Sequence, residues 1–282
     1  MTATYGILGW PVEHSRSPAM HASAFRARGL EAHYVCFPVH PDDVAEAVRG
    51  LKALGVRGAN VTVPHKETVI RYLDSVTPEA RAIGAVNTIV REVDRLVGHN
   101  TDAPGLARSL DDAGVELDGA RVLVLGAGGA SRASVVGLAG RNASRIAVAA
   151  RRLDQAEQLV RELEPVCPRT VLTAIAMTRD ELAEELRETS LLVQSTSATL
   201  ASSPDSAGFA ASLAIELMPA HATVVDLVYR PLVTTVLARA HERGLRVVDG
   251  LGMLLHQGAL AFELWTHMPA PLEVMRAALQ SP

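Results

Sequence analysis

The stretch RVLVLGAGGASRASVVGLAG, Arg121 to Gly140, decides the fold. It reads as a buried strand, a glycine-rich turn and then a helix. Gly126, Gly128 and Gly129 permit a tight turn and a close backbone approach to a pyrophosphate. A helix starting near Gly129 would present its N-terminal N–H groups and the positive end of its dipole there. Ser131 stands where the third glycine or alanine of the G-x-G-x-x-G pattern would sit. A plain strand–helix turn that needs glycine for positive φ would share some of this pattern. The strand before it, the helix after it and the further strands beyond favour dinucleotide binding.

The next strand sharpens that reading. RIAVAARRLDQAEQLV ends its apolar run on Arg151-Arg152. A site for NAD usually carries an acidic residue there for the ribose 2′-hydroxyl, whereas arginine suits a 2′-phosphate. A solvated surface pair is the alternative; at this position the pair points to NADP.

Moving outward, strand-like runs alternate with helical patterns along nearly the whole chain. TYGILG, HYVCFPV and ANVTV precede the glycine turn, with helical stretches such as PDDVAEAVRGLKALG between them; TVLTAI, SLLVQS and TVVDLV follow it. This rhythm predicts parallel sheets covered by helices. Ser17-Pro18 predicts an N-cap followed by proline at the first helical position. Thr178 to Glu181 reads as a capping box. Residues 197–208, SATLASSPDSAG, read as a loop.

With 282 residues, 48% of them hydrophobic, the chain can bury one large core or two modest ones. A formal net charge of −4 argues against a nucleic-acid partner. No run of about 18 uncharged apolar residues predicts a membrane span, and the first residues lack the pattern of a secretory signal. Cys36 and Cys167 are expected to be free thiols in a cytoplasmic protein.

The polar residues of the N-terminal part ask for a reason. In EHSRSPAMH, Ser15 and Ser17 would put two hydroxyls beside a helix N-terminus, a seat for a carboxylate. His14 and His21 have no acidic or cysteine partner at ligand spacing, so no metal is expected. In GANVTVPHKE the period of two puts Val61 and Val63 on a core face and Asn60 and Thr62 on a face lining an opening. Pro64 would end the strand. Lys66 would then lie in the first turn of a helix, where the dipole disfavours a cation. AIGAVNTI supplies Asn87 within an apolar strand, and GHNTDAPG supplies Asn100, Thr101 and Asp102. Asp102 either caps the helix starting near Ala103 or pairs with Lys66; sequence alone allows both.

GWPVEHSRSPAMHASAF, GANVTVPHK, AIGAVNTI, GHNTDAPG, GAGGAS, VVDLVYRPLVTTVL and VVDGLGMLLHQGALAFELW occur in this order and cover nearly the whole chain. In these segments the chain resembles the shikimate dehydrogenases. The resemblance implies an α/β fold of two domains. One is a substrate domain with a mixed, mainly parallel sheet, residues 1–103 plus 250–282. The other is a Rossmann-type doubly wound NADP domain, residues 104–249. It implies reversible NADP-dependent reduction of 3-dehydroshikimate to shikimate. Lys66 would be the proton donor and acceptor, and Asp102 its partner. Ser15 and Ser17 would hold the substrate carboxylate. Asn60, Thr62, Asn87, Tyr229 and Gln257 would line the rest of the substrate site. Gly126, Ala127, Gly128, Gly129, Ala130, Arg151, Arg152, Leu227 and Gly250 would meet the cofactor. The partner is then a small-molecule substrate; monomer and homodimer both stay open.

Two segments depart from the family pattern. Ala150-Arg151-Arg152 replaces Asn-Arg-Thr. Gln194-Ser195-Thr196-Ser197-Ala198-Thr199 replaces Asn-Ala-Thr-Ser-x-Gly, so Thr199 takes the place of a residue that tolerates positive φ. A different loop path is expected there. Two rival readings follow: a quinate or aminoshikimate dehydrogenase, and a non-catalytic NADP- or shikimate-binding regulator.

Overall fold

The computed structural model describes residues 2–281. These divide into two compact units, Met1–Gly105 with Leu254–Pro282, and Leu106–Met253. The divisions fall inside helices Asp102–Asp112 and Leu251–Thr266, not in linkers. The first falls directly after Pro104-Gly105, which here belong to the helix.

The first unit carries strands β1 (Ala3–Gly9), β2 (Ala32–Pro38), β3 (Gly58–Val61), β4 (Ser75–Val76), β5 (Thr88–Glu92) and β6 (Arg95–His99). Their order is β2-β1-β3-β5-β6-β4. β1 runs parallel to β2 and β3, and β4 parallel to β6; β5 is antiparallel to both its neighbours. An aliphatic cluster of Leu8, Val44, Val48, Leu51, Val61, Val69 and Ile89 forms one core. Tyr5, His21, Phe25, Tyr34 and Trp265 form an aromatic cluster, in which the His21 ring stacks on Tyr34 at 4.5 Å between centroids.

The second unit carries β7 (Arg121–Leu125), β8 (Arg145–Ala150), β9 (Val171–Ala176), β10 (Leu191–Gln194), β11 (Thr223–Asp226) and β12 (Arg246–Val248). Their order is β12-β11-β10-β7-β8-β9 and every pairing is parallel. Alternate residues of β7 enter different cores: Val122 and Val124 join one, Leu123 and Leu125 the other. Apolar side chains are buried on both faces, so the run is apolar at successive positions. The strand order reverses between β7 and β10, the switch point at which doubly wound sheets bind ligands.

Several local expectations are corrected. β3 ends at Val61, so the alternation does not extend to Val63, which is 58% exposed and is not a core residue. No α-helix follows Pro64. Lys66 lies in a turn ahead of the 3-10 segment Thr68–Tyr72, and the helix-dipole argument does not apply to it. Ser17 is the first residue of helix Ser17–Ala27 and not its cap. AIGAVNTI is not one strand: helix Pro78–Ile83 takes its start, and β5 begins after Asn87. The capping box is half made. Thr178 accepts the Glu181 N–H, but the Glu181 carboxylate turns to the Ala176 N–H. Residues 197–208 hold a 3-10 turn, Ser197–Thr199, and the start of helix Ser206–Ser212, capped by Asp205.

Candidate active site

The turn that presents Lys66 is fixed by backbone and by one imidazole. The Thr62 N–H donates to Leu8 O and the His65 N–H to Thr62 O. The Val86 N–H donates to Lys66 O at 2.8 Å. His65 is buried, and its Nε2 lies 2.7 Å from Val39 O. A carbonyl only accepts, so Nε2 carries the proton. Burial also holds the His65 pKa below its ordinary value, a neutral ring being enough for that single donation.

Lys66 Nζ then donates to Asp102 Oδ2 at 2.6 Å. The choice left open for Asp102 is resolved by Asn100. Its Oδ1 accepts the N–H groups of Asp102 and Ala103 at 3.0 and 3.1 Å. Asn100 therefore caps the helix and leaves the Asp102 carboxylate free for side chains. Asn87 Nδ2 donates to the second oxygen, Oδ1, at 2.8 Å, and also reaches Thr101 Oγ1 and Gln257 Oε1. The Lys66 and Asp102 side chains are 14% and 5% exposed, so the pair is nearly dry.

Asn60 belongs to this cluster in a different way. It is buried, its Oδ1 accepts from Tyr34 Oη at 2.7 Å, and its Nδ2 donates to Asn87 O and Thr88 Oγ1. It therefore faces inward to a polar core and not to an opening, because every polar atom of its amide already has a protein partner. Thr88 and Thr101 extend the network, each hydrogen-bonding Asn87 Oδ1. Tyr34 and Thr88 were not expected; both sit in runs whose alternation gave no sign that a hydroxyl would be buried.

Ser15 is not idle at the helix start. Its Oγ accepts the Ser17 N–H at 3.2 Å, which leaves its own proton to give. Thr62 is half-buried directly after β3. Gln257 Nε2 is held by Leu254 O, turning Oε1 towards Asn87.

In the second unit Gly126 takes φ +111°, a conformation open to glycine. A Cβ there would lie 3.0 Å from both Ser131 Oγ and Thr196 Cγ2. Helix Gly129–Ala139 begins directly after, and Ala127 to Ala130 stay partly or fully accessible around its N-terminus. Ser131, in the third-glycine position, is buried and pairs with Ser195 Oγ at 2.8 Å. Arg151 and Arg152 are exposed at the end of β8, with no ion pair or side-chain hydrogen bond among the described residues. Gly250 is buried against the Leu227 carbonyl, which a Cβ would meet at 2.5 Å. Tyr229 lies in this same unit, half-buried, after β11. Thr199 does not adopt positive φ. It closes a 3-10 turn, is buried, and accepts from Gln194 Nε2 at 2.9 Å. The loop path at this substitution is set by a hydroxyl in place of a glycine's freedom. The cradle, the helix N-terminus and two unengaged guanidinium groups fit a phosphorylated dinucleotide.

Among the described residues no group of three or more histidines, cysteines and carboxylates could hold a metal ion. No helix there is long and apolar enough to cross a membrane.

Three family profiles match in succession: the shikimate dehydrogenase substrate binding domain over residues 7–89, shikimate / quinate 5-dehydrogenase over 106–207, and the shikimate 5′-dehydrogenase C-terminal domain over 250–280. The chain is 45% identical to the shikimate dehydrogenase (NADP(+)) of Geobacter metallireducens, over 98% of this chain and 95% of that one. The crystal structure of shikimate 5-dehydrogenase from Thermus thermophilus with NADP(H) and shikimate superposes with a TM-score of 0.83. It is 37% identical and covers 99% of each chain. Quinate dehydrogenase from Corynebacterium glutamicum, solved with NAD, superposes with a TM-score of 0.87 at 25% identity, covering 98% of each chain. On these similarities over its whole length, the chain belongs to the shikimate dehydrogenase family.

Proposed function

We propose that this chain catalyses the reversible NADP-dependent reduction of 3-dehydroshikimate to shikimate. The observation that carries the reading is the nearly dry Lys66–Asp102 contact, braced by Asn87. Burying such a pair costs several kcal/mol per ion, and apolar residues of similar volume often stabilise a fold as well or better. A chain that keeps such a pair nearly buried has a chemical reason to do so.

The first unit is the substrate side. The hydroxyls of Ser15 and Ser17 meet the substrate carboxylate, Ser15 with the proton its contact to Ser17 leaves available. Thr62, Asn87 and Gln257 address the ring hydroxyls. The second unit is the cofactor side, with the Gly126 to Ala130 turn, Leu227 and Gly250 along the dinucleotide and Arg151 and Arg152 at the 2′-phosphate. NADPH, when bound, supplies the hydride. Lys66 donates a proton to the carbonyl oxygen as it becomes an alkoxide, and takes it back in the reverse direction. Asp102 orients the ammonium, and Asn87 keeps the carboxylate from turning away. Asn60 serves the site from behind, as a brace for Asn87 and Thr88.

The experiment is a spectrophotometric assay with shikimate and quinate, each offered with NADP and NAD. Turnover with shikimate and NADP well above the other three combinations is expected. Preference for quinate would replace the substrate assignment; that second reading has the quinate dehydrogenase likeness in its favour. A cytoplasmic enzyme suits the free cysteines Cys36 and Cys167, and light scattering decides between monomer and homodimer.

A further inference from the structure

β10 and β11 end on two buried polar residues in otherwise apolar strands, Gln194 and Asp226, each 0% exposed. They are adjacent across the parallel ladder, in register. Neither is among the residues that would touch substrate or cofactor. Their hydrogen bonds form one connected set. Gln194 Oε1 accepts the Thr196 N–H at 2.6 Å, and Nε2 reaches Thr196 O, Thr199 Oγ1 and Asp226 Oδ1 at 3.0, 2.9 and 3.2 Å. Asp226 Oδ1 also accepts the Val228 N–H, and its Oδ2 accepts from Thr234 Oγ1 at 2.7 Å. Thr234 in turn caps helix Thr235–Glu242.

The amide of Gln194 thus grips both backbone polar groups of Thr196, as a neighbouring strand would. Thr196 and Ser195 are the residues that stand against Gly126: a Cβ there would meet Thr196 Cγ2 at 3.0 Å and Ser195 Oγ at 3.2 Å. Ser195 Oγ donates to Leu125 O at 2.6 Å, so the Ser131 hydroxyl is the donor in the Ser131–Ser195 pair. The chain of contacts runs from Asp226 through Gln194 to the wall of the glycine turn, all at the carboxyl ends of β7, β10 and β11. Ligands of doubly wound sheets bind at that edge.

We propose that Gln194 is a positioning residue for the cofactor cradle: braced by Asp226 and Thr199, it fixes Ser195 and Thr196 against Gly126 and so presets the cradle before cofactor arrives. This rests on the reading of the second unit as the NADP-binding unit. Preset geometry raises affinity by removing ordering costs at binding, so the effect falls on cofactor and not on substrate. Burial pushes the Asp226 carboxyl above its ordinary pKa, partly offset by Thr234, Val228, Thr199 and Gln194. The carboxylate has good reason to hold its donors tightly.

The test titrates the full chain with NADP+ alone, by calorimetry, for wild type, Gln194→Met and Thr199→Val, and follows hydrogen exchange across residues 195–200. Gln194→Met is expected to weaken NADP+ binding by roughly 10- to 100-fold, and Thr199→Val, which keeps its shape and loses one hydroxyl, by roughly 3- to 10-fold. Exchange at 195–200 rises in both. In turnover, KM for NADP+ rises while KM for shikimate and kcat at saturating cofactor stay within about twofold of wild type. NADP+ affinity equal to wild type in either folded variant overturns the proposal. Should Gln194→Met not fold, Thr199→Val decides alone. Absence of NADP+ binding by wild type overturns the functional reading itself, a result separate from equal binding by all three.

Discussion

Lys66 Nζ sits 2.6 Å from Asp102 Oδ2, while Asn87 holds the other carboxylate oxygen at 2.8 Å. The carboxylate is thereby clamped from two sides and the ammonium can point only along what remains. Helix capping, which would have consumed Asp102, is done by Asn100.

Lys66→Met is expected to lower kcat by about 10²- to 10⁴-fold while shikimate still binds. Asp102→Asn keeps the shape and the Asn87 neighbourhood but removes the charge that orients the ammonium, and should lose less. Steady-state kinetics with a parallel calorimetric titration of shikimate separates chemistry from binding. Near-normal turnover in folded Lys66→Met would remove Lys66 from the mechanism.

Asn60→Ala should destabilise and leave substrate recognition almost alone. The substitution takes a hydrogen-bond partner from the Tyr34 hydroxyl, the Asn87 carbonyl and the Thr88 hydroxyl, all in a buried site. Each such bond is worth about 0.5–1.5 kcal/mol. Urea unfolding is the measurement. A large rise in KM for shikimate with stability unchanged would return Asn60 to the substrate surface.

Arg151 and Arg152 are exposed and form no ion pair among the described residues, so their removal breaks none of those. The double variant Arg151→Ala/Arg152→Ala should raise KM for NADP by roughly 10- to 100-fold, the worth of one or two charged hydrogen bonds to a phosphate. KM for NAD, which lacks that phosphate, should change little. An equal rise for both cofactors would place the arginines elsewhere on the dinucleotide.

These features were legible in the sequence to different degrees. The second unit was open to reading because β7 is apolar at successive positions and meets Gly126 at once, and further strands of the same kind follow it. The first unit was harder. β4 is two residues long and shows no period, and β6, RLVGH, sets Leu96 and Val97 side by side with no alternation to read. Asn87 looked like a strand residue because the apolar end of helix Pro78–Ile83, then Ala85 and Val86, run almost directly into Ile89 and Val90 of β5. The Lys66–Asp102 pair spans 36 residues and depends on β3, β5 and β6 lying side by side; Asn100 and Asp102 both had cap chemistry, and only geometry assigns it. Asp226 did leave a signal, a carboxylate within TVVDLV, which calls for buried donors.

His21 makes the last prediction, in the pH dependence of stability. It is 0% exposed, stacked on Tyr34, and burial lowers its pKa to about 3, with Asn60 opposing the shift. The folded state excludes a proton that the unfolded chain accepts near its ordinary value of about 6.5. Between those values the unfolded state binds more protons, so stability is full above pH 6.5 and falls as pH drops, by up to about 1.4 kcal/mol per pH unit from this one group. Burial lowers His65 and His99 in the same sense. Asp226, raised by burial, works in the opposite sense in its own range. His21→Phe preserves an aromatic in the stack and removes the titration. Its urea unfolding free energy should therefore decline less steeply than wild type between pH 6.5 and 4.5. Parallel profiles for the two proteins would mean that His21 is protonated in the folded protein within that window, and that the aromatic cluster accommodates the charge.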